Sequence, residues 1–142
     1  MIYFDVSYIV RLYFEDPGWE EVRALAAQAS LACSLHGRAE AAGAMHRKLR
    51  EGVLTPLQYR HLLKQFAVDC GQHAYRWIPV SPASIARVEE AYASLPRTVF
   101  LRASDALHLA CASENHFREI YSNDERLLAA ARYFSLKGVD VI

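Results

Sequence analysis

Four acidic residues stand where acids are costly or unexpected: Asp5, Glu40, Asp105 and Asp124. Asp5 closes the short apolar run Ile2-Tyr3-Phe4, and Asp105 sits in Leu101-Arg102-Ala103-Ser104-Asp105-Ala106-Leu107-His108-Leu109-Ala110, a segment too apolar to have much solvent face. A buried carboxylate must find a cation, hydrogen bonds or a proton, because leaving it bare costs several kcal/mol. Glu40 is flanked at helical spacing by Gly37, Ala41 and Ala44, which leave room for another element or a ligand to approach. Each acid also has an ordinary structural reading. Asp5 and Asp105 would suit the first turn of a helix, Glu40 a solvated helix flank, and Asp124 a capping box from Ser122 to Glu125.

Together the four read differently. Two fall at the ends of expected strands and two on helices that begin near the same edge, so all four can converge. Ionised carboxylates in one cleft repel, and some must take up protons or be balanced by cations. Two divalent cations would compensate the formal charge, and carboxylate oxygens with water suit Mg²⁺ or Mn²⁺ rather than zinc. The chemistry natural to such a centre is phosphodiester hydrolysis. One ion makes hydroxide from water and the other steadies the leaving oxygen.

Elements that could position these acids follow from periodicity and punctuation. Strands are expected at Ile2–Phe4, Leu31–Ser34, Tyr75–Val80, Ile120–Ser122 and Val139–Ile142. Helices are expected at Ser7–Phe14, Trp19–Ser30, Leu35–Arg50, Thr55–Cys70, Ser81–Ser94, Leu101–Asn115 and Asp124–Ser135. Thr55-Pro56 and Ser81-Pro82 are N-cap and first-turn pairs, and Asp16-Pro17-Gly18 and Lys137-Gly138 read as turns. The Leu35–Arg50 helix carries an apolar stripe at Leu35, Ala39, Ala42 and Leu49, and the helix around Asp105 should be buried. Alternating strands and helices predict an α/β sandwich with a mostly parallel sheet. Ligands in such sheets bind beyond the carboxyl ends of the strands, which points to Asp5 and to Ser122–Asp124.

Composition sets the outer limits. The chain has 142 residues, 53% hydrophobic and 23% charged, which suits one domain over residues 1–142 with its own core. Sixteen Lys and Arg balance sixteen Asp and Glu, so a polyanion would have to be met by a local basic patch. Three dispersed cysteines match neither a disulfide framework nor a zinc site and suit a reducing compartment. With an acid at position 5 and no apolar run long enough to span a bilayer, a cytoplasmic product with no membrane contact is expected.

The motifs resemble those of PIN domains, and more narrowly of VapC-type ribonuclease toxins. Met1-Ile2-Tyr3-Phe4-Asp5-Val6-Ser7 followed by Ile9-Val10-Arg11-Leu12-Tyr13 resembles the family's opening strand with its Asp-x-Ser. Ser34-Leu35 through Ala39-Glu40-Ala41 resembles the helix with the second acid. The segment around Asp105 is close to the third motif, and Tyr121-Ser122-Asn123-Asp124-Glu125-Arg126-Leu127 resembles the fourth. The likeness spans the whole chain in order. It departs at Val6, where the family usually has Thr or a small residue, and at Arg38-Ala39, where an apolar pair is commoner.

This resemblance implies a PIN-like three-layer α/β/α sandwich and a metal-dependent endoribonuclease using one or two Mg²⁺ or Mn²⁺ ions. It also implies a cognate antitoxin partner and commonly a homodimer. It carries metal-site roles to Asp5, Glu40, Asp105 and Asp124, with Ser7 and Ser122 as hydrogen-bonding supports. Arg47, Lys48 and Arg50 on the middle helices are candidate contacts to RNA phosphates, and Arg97 and Arg102 beside the expected cleft are candidates for the same contacts or for pairing with the acids when no metal is bound. The histidines contain no H-E-x-x-H and no compact ligand set, and His108 reads as a packed core residue rather than a base. Two alternatives are a silent PIN-fold module that binds RNA or protein, and a DNA-directed nuclease of the same chemistry.

Overall fold

The computed structural model describes residues 1–142. Five short strands, β1 (Ile2–Phe4), β2 (Leu31–Ser34), β3 (Tyr75–Ile78), β4 (Glu119–Tyr121) and β5 (Lys137–Val139), form one sheet in the order β3-β2-β1-β4-β5. Every pairing is parallel, with Tyr3 opposite Ala32 on one side and Ile120 on the other. Parallel pairing requires crossovers. They are supplied by α1 (Val6–Arg11), α2 (Trp19–Ala26), α3 (Leu35–Arg50), α4 (Pro56–Gly71), α5 (Pro82–Ser94), α6 (Ala103–Glu114) and α7 (Glu125–Ala130).

Strand residues alternate between two cores, which gives the expected three layers. Tyr3, Ala32, Ile78 and Ile120 pack with α5, α6 and α7. Phe4, Cys33, Tyr75 and the half-buried Tyr121 pack on the other face with α1, α3 and α4. The chain leaves β1 toward β2 and later returns to β4 on β1's other side. This creates a switch point where the carboxyl ends of β1 and β4 diverge, the usual place for a ligand in such a sheet. Asp5 and Ser122 are the first residues beyond those two ends. No helix is long and apolar enough to cross a membrane.

The local signals at α4 and α5 are realised as capping boxes, Thr55 with Gln58 and Ser81 with Ser84, and α6 is buried along most of its length as expected. Other boundaries move. The second helix ends at Ala26 rather than Ser30. The expected Asp124–Ser135 helix divides into α7 and a 3₁₀ turn, Ala131–Phe134, closed by Ser135 in a left-handed conformation. The last strand is Lys137–Val139 rather than Val139–Ile142. Gly138 is therefore a strand residue, and its missing Cβ lets Leu128 approach: a Cβ there would lie 3.0 Å from the Leu128 backbone.

The buried stripe of α3 is also not the expected one. Gly37, Ala41 and Met45 face inward, whereas Leu35 is 46% exposed. The reason is a close approach of elements at Gly37, where a Cβ would come within 2.7 Å of Cys33 Sγ and 2.9 Å of His108 Cε1. Only glycine permits that contact, and with 37, 41 and 45 turned inward, position 40 falls on the flank beside α6.

Candidate functional site

A cleft of about 560 Å³ opens at the switch point, bordered by Asp5, Glu40 and Asp105 and by the guanidinium-bearing Arg11, Arg47, Arg50 and Arg102. Asp5 caps the N-terminus of α1. Its Oδ1 accepts from the Ser7 hydroxyl at 2.6 Å and from the Tyr8 N–H at 3.3 Å, and its Oδ2 accepts from the Ser122 hydroxyl at 2.7 Å. The residue is only 6% exposed. Burial raises its pKa above the ordinary carboxylate value, although the Ser7 bond, the charge of His108 and the Ser122 bond act the other way.

Asp124 is the N-cap of α7, its Oδ1 accepting from the N–H groups of Arg126 and Leu127. The expected capping box from Ser122 to Glu125 does not form: the cap lies two residues later, and the third helical residue, Leu127, has no side-chain acceptor to reciprocate. Ser122 accepts from the Asp124 N–H at 2.9 Å while donating to Asp5, so it ties the two acids together. The other Asp124 oxygen, Oδ2, accepts from Arg102 Nη2 at 2.9 Å. Arg102 also donates from Nε to Asp105 Oδ2 at 2.8 Å, so one guanidinium bridges two of the four acids. Asp105 itself is 7% exposed. It lies in the first turn of α6, and its carboxylate is met there by the Arg102 guanidinium rather than by backbone N–H groups.

Glu40 is organised by imidazoles. Its Oε2 lies 2.8 Å from His108 Nε2 and 3.6 Å from His36 Nε2. His108 is 2% exposed, as a core residue should be, but its ring also reaches from the core to Glu40. Its Nδ1 meets the Tyr3 hydroxyl at 3.0 Å and the Ser34 hydroxyl at 3.1 Å, and the Ser34 N–H donates to the Tyr3 oxygen. Burial opposes charge on this ring, yet Tyr3, Cys33 and Glu40 around it raise its pKa well above the usual imidazole value. Burial would likewise raise the pKa of Glu40, but the bond to His108 and the charges of His108 and His36 outweigh it and keep the carboxylate ionised. Burial and the neighbouring His108 lower the pKa of His36.

The sequence-derived set thus divides. Asp5, Glu40 and Asp105 border the cleft, Asp124 joins them through Arg102 and Ser122, and Ser7 and Ser122 are the expected supports. Arg47, Arg50 and Arg102 reach the cleft, whereas Lys48 pairs with Asp16 and Arg97 is an exposed residue that does not border it. Sequence reasoning missed Arg11, which donates to Asn123 Oδ1 and to the Ser7 carbonyl, and the pair His36 and His108. A histidine four residues before Glu40 was the available signal for His36. Four acids in the cleft wall, counting Asp16, face four arginines. The formal charge is therefore largely balanced by the chain itself, although no arginine touches Asp5 or Glu40.

The profile of the PIN domain family matches residues 2–133. Among solved structures, FitAcB from Neisseria gonorrhoeae aligns with a TM-score of 0.74 at 14% identity, over 97% of this chain and 96% of that one. VapC20 from Mycobacterium tuberculosis, described as a sarcin–ricin-loop-cleaving toxin, aligns with a TM-score of 0.70 at 19% identity, over 92% and 95%. At these identities the likeness is one of fold. A search among curated proteins gives no match in sequence.

Proposed function

The chain belongs to the PIN domain family, and on that premise we propose that it is a divalent-metal-dependent endoribonuclease, the toxin of a VapBC-type pair. The observation that carries this reading is the meeting of Asp5, Glu40 and Asp105 at the sheet's switch point, with Asp124 joined to them through Ser122 and Arg102. The donor set fits one or two Mg²⁺ or Mn²⁺ ions. It consists of carboxylate oxygens in a cleft with room for water, and the Asp5 carboxylate receives hydrogen bonds only from neutral groups. Asp5, Asp105 and Asp124 would hold the metal directly or through water, with Glu40 as a further ligand or as the residue that orients the attacking water. Such an ion lowers the pKa of a bound water and stabilises charge on the leaving oxygen.

The chain's own residues do the rest. Ser7 and Ser122 hold the buried Asp5 carboxylate in one orientation. His108 fixes Glu40 and keeps it ionised, the state needed to bind a cation or to orient a water by accepting its hydrogen bond. Arg47, Arg50 and Arg11 offer positive charge along the cleft for an RNA backbone, a contact that weakens as salt rises. Arg102 is 56% exposed along its side chain, so it can release the acids and turn to a substrate phosphate. A cognate antitoxin belongs to the same proposal, because unrestrained cleavage of RNA would harm the cell, and a homodimer and a cytoplasmic location accompany it.

The bridging Arg102 favours one other reading, a PIN-fold module that binds RNA or protein without hydrolysis, its acids neutralised internally. Turnover separates the two. The purified, antitoxin-free chain is incubated with a mixed RNA pool in Mn²⁺ or in EDTA, beside Asp105→Asn. Cleavage that requires the metal and disappears in the variant is the expected result. Folded protein that binds RNA and never cuts it favours the silent module.

A further inference from the structure

His36, Glu40 and His108 bring three metal-binding atoms within 4.8 Å of one another. No compact histidine set is visible in the sequence because His108 lies 68 residues from Glu40 and reaches it only through the packing of α6 against the end of β2. A tetrahedral zinc-class ion with bonds of about 2.0–2.1 Å places its ligand atoms about 3.3 Å apart. The two separations to Glu40 Oε2, 2.8 and 3.6 Å, straddle that value, and the two imidazole nitrogens lie within 4.8 Å of each other, so rotation of the rings would bring the three onto one ion.

The surroundings are also those of a ligand set. Zinc-binding imidazoles usually have their second ring nitrogen held by an oxygen, which fixes the ring and its tautomer. Here the Ser34 hydroxyl lies 2.8 Å from His36 Nδ1 and 3.1 Å from His108 Nδ1, and Tyr3 lies 3.0 Å from the latter. Both Nε2 atoms are left facing Glu40. The arrangement has two competitors: His36 Nε2 also lies 3.1 Å from the Ser104 carbonyl, and His108, whose pKa is raised, must release a proton from Nε2 before an ion can bind there. Glu40 is a third exposed and borders the cleft, which leaves an entry path and a fourth position for water.

We propose that His36, Glu40 and His108 form a second cation site, selective for a zinc-class ion. Two nitrogens and one oxygen prefer such an ion to Mg²⁺, whereas the all-carboxylate set of Asp5, Asp105 and Asp124 does not discriminate in that direction. The sites share Glu40, so zinc here withdraws that carboxylate from the cleft and inhibits the reaction. The inhibition rests on the nuclease reading, but the site does not.

The test uses tag-free, metal-stripped full-length protein. One equivalent of Co²⁺ should give the intense visible absorption of a low-coordinate, nitrogen-containing site, displaced by one equivalent of Zn²⁺ and resistant to a large excess of Mg²⁺. In calorimetry, His36→Gln should lower zinc affinity at least about tenfold, with its melting temperature confirming the fold. Asp105→Asn should leave zinc affinity in place. A weak, six-coordinate cobalt spectrum in the unmodified protein overturns the proposal without any variant. So does zinc binding that survives His36→Gln but is lost in Asp105→Asn, which would put the ion among the carboxylates. A chain that binds zinc as described and never cuts RNA would leave this site standing and remove the nuclease.

Discussion

Replacing Arg102 by alanine should change metal binding and catalysis in opposite directions. Its guanidinium holds Asp105 at 2.8 Å and Asp124 at 2.9 Å, so it competes with a metal ion for the same oxygens. The bond to Asp105 is also the leading reason that the Arg102 pKa lies above its ordinary value. Because the side chain is 56% exposed, solvent screening limits each bridge to about 0.5 kcal/mol. Together the two are worth roughly 1 kcal/mol, and their removal should tighten Mn²⁺ binding about fivefold. Elevated salt should reduce that gain. If the released guanidinium meets a substrate phosphate during the reaction, its loss removes a charge-assisted hydrogen bond of about 1.5–3 kcal/mol. That amounts to roughly a 10- to 150-fold fall in kcat/KM. Calorimetric titration with Mn²⁺ and cleavage of a labelled RNA at saturating Mn²⁺ measure the two effects on one preparation. Arg102→Lys keeps the charge without the planar fork and should fall between the two forms. Equal or weaker Mn²⁺ binding by Arg102→Ala would refute the competition, and unchanged cleavage would refute the phosphate contact.

Two further outcomes concern the folded state. Burial raises the pKa of Asp5, so the native state holds that proton more tightly than the unfolded chain does. In metal-free protein its contribution to stability is therefore lost as pH rises from the ordinary carboxylate range through the raised value. Asp5→Asn in EDTA should accordingly melt higher than the parent at neutral pH, by on the order of 1 kcal/mol or about 3 °C, and the advantage should vanish in acid. A gain that is constant across pH would mean that the charge of Asp5 is not its cause. Gly37→Ala should destabilise by about 1–3 kcal/mol in denaturant unfolding, because the new Cβ meets Cys33 and His108 at under 3.0 Å. Gly43→Ala on the same helix meets nothing within 4 Å and should stabilise by about 0.5–1 kcal/mol. Equal effects at the two positions would contradict the close approach at Gly37.

What the amino-acid sequence determined by itself was whatever depends on neighbours within about one helical turn. Thr55-Pro56 and Ser81-Pro82 start α4 and α5 where their caps predict, since a cap is satisfied by N–H groups two or three residues away. The apolar run of α6 announces its burial, and alternation of strand with helix announces a parallel sheet. The four acids and their serines stood out because each is locally anomalous. The inward face of α3 was not legible, because Gly37 and Ala41 carry little hydrophobic signal and are buried for being small. Nor was the start of β5, where Gly138 looks like a turn until Leu128 is seen against it. Which of these residues meet is settled by packing. Strand order sets the ends of β1 and β4 side by side, so that Ser122 binds Asp5 across 117 residues. Packing of α6 delivers His108 to Glu40 and Arg102 to Asp124. Contacts of that range are fixed by the crossovers of the sheet, and no periodicity within a single element encodes them.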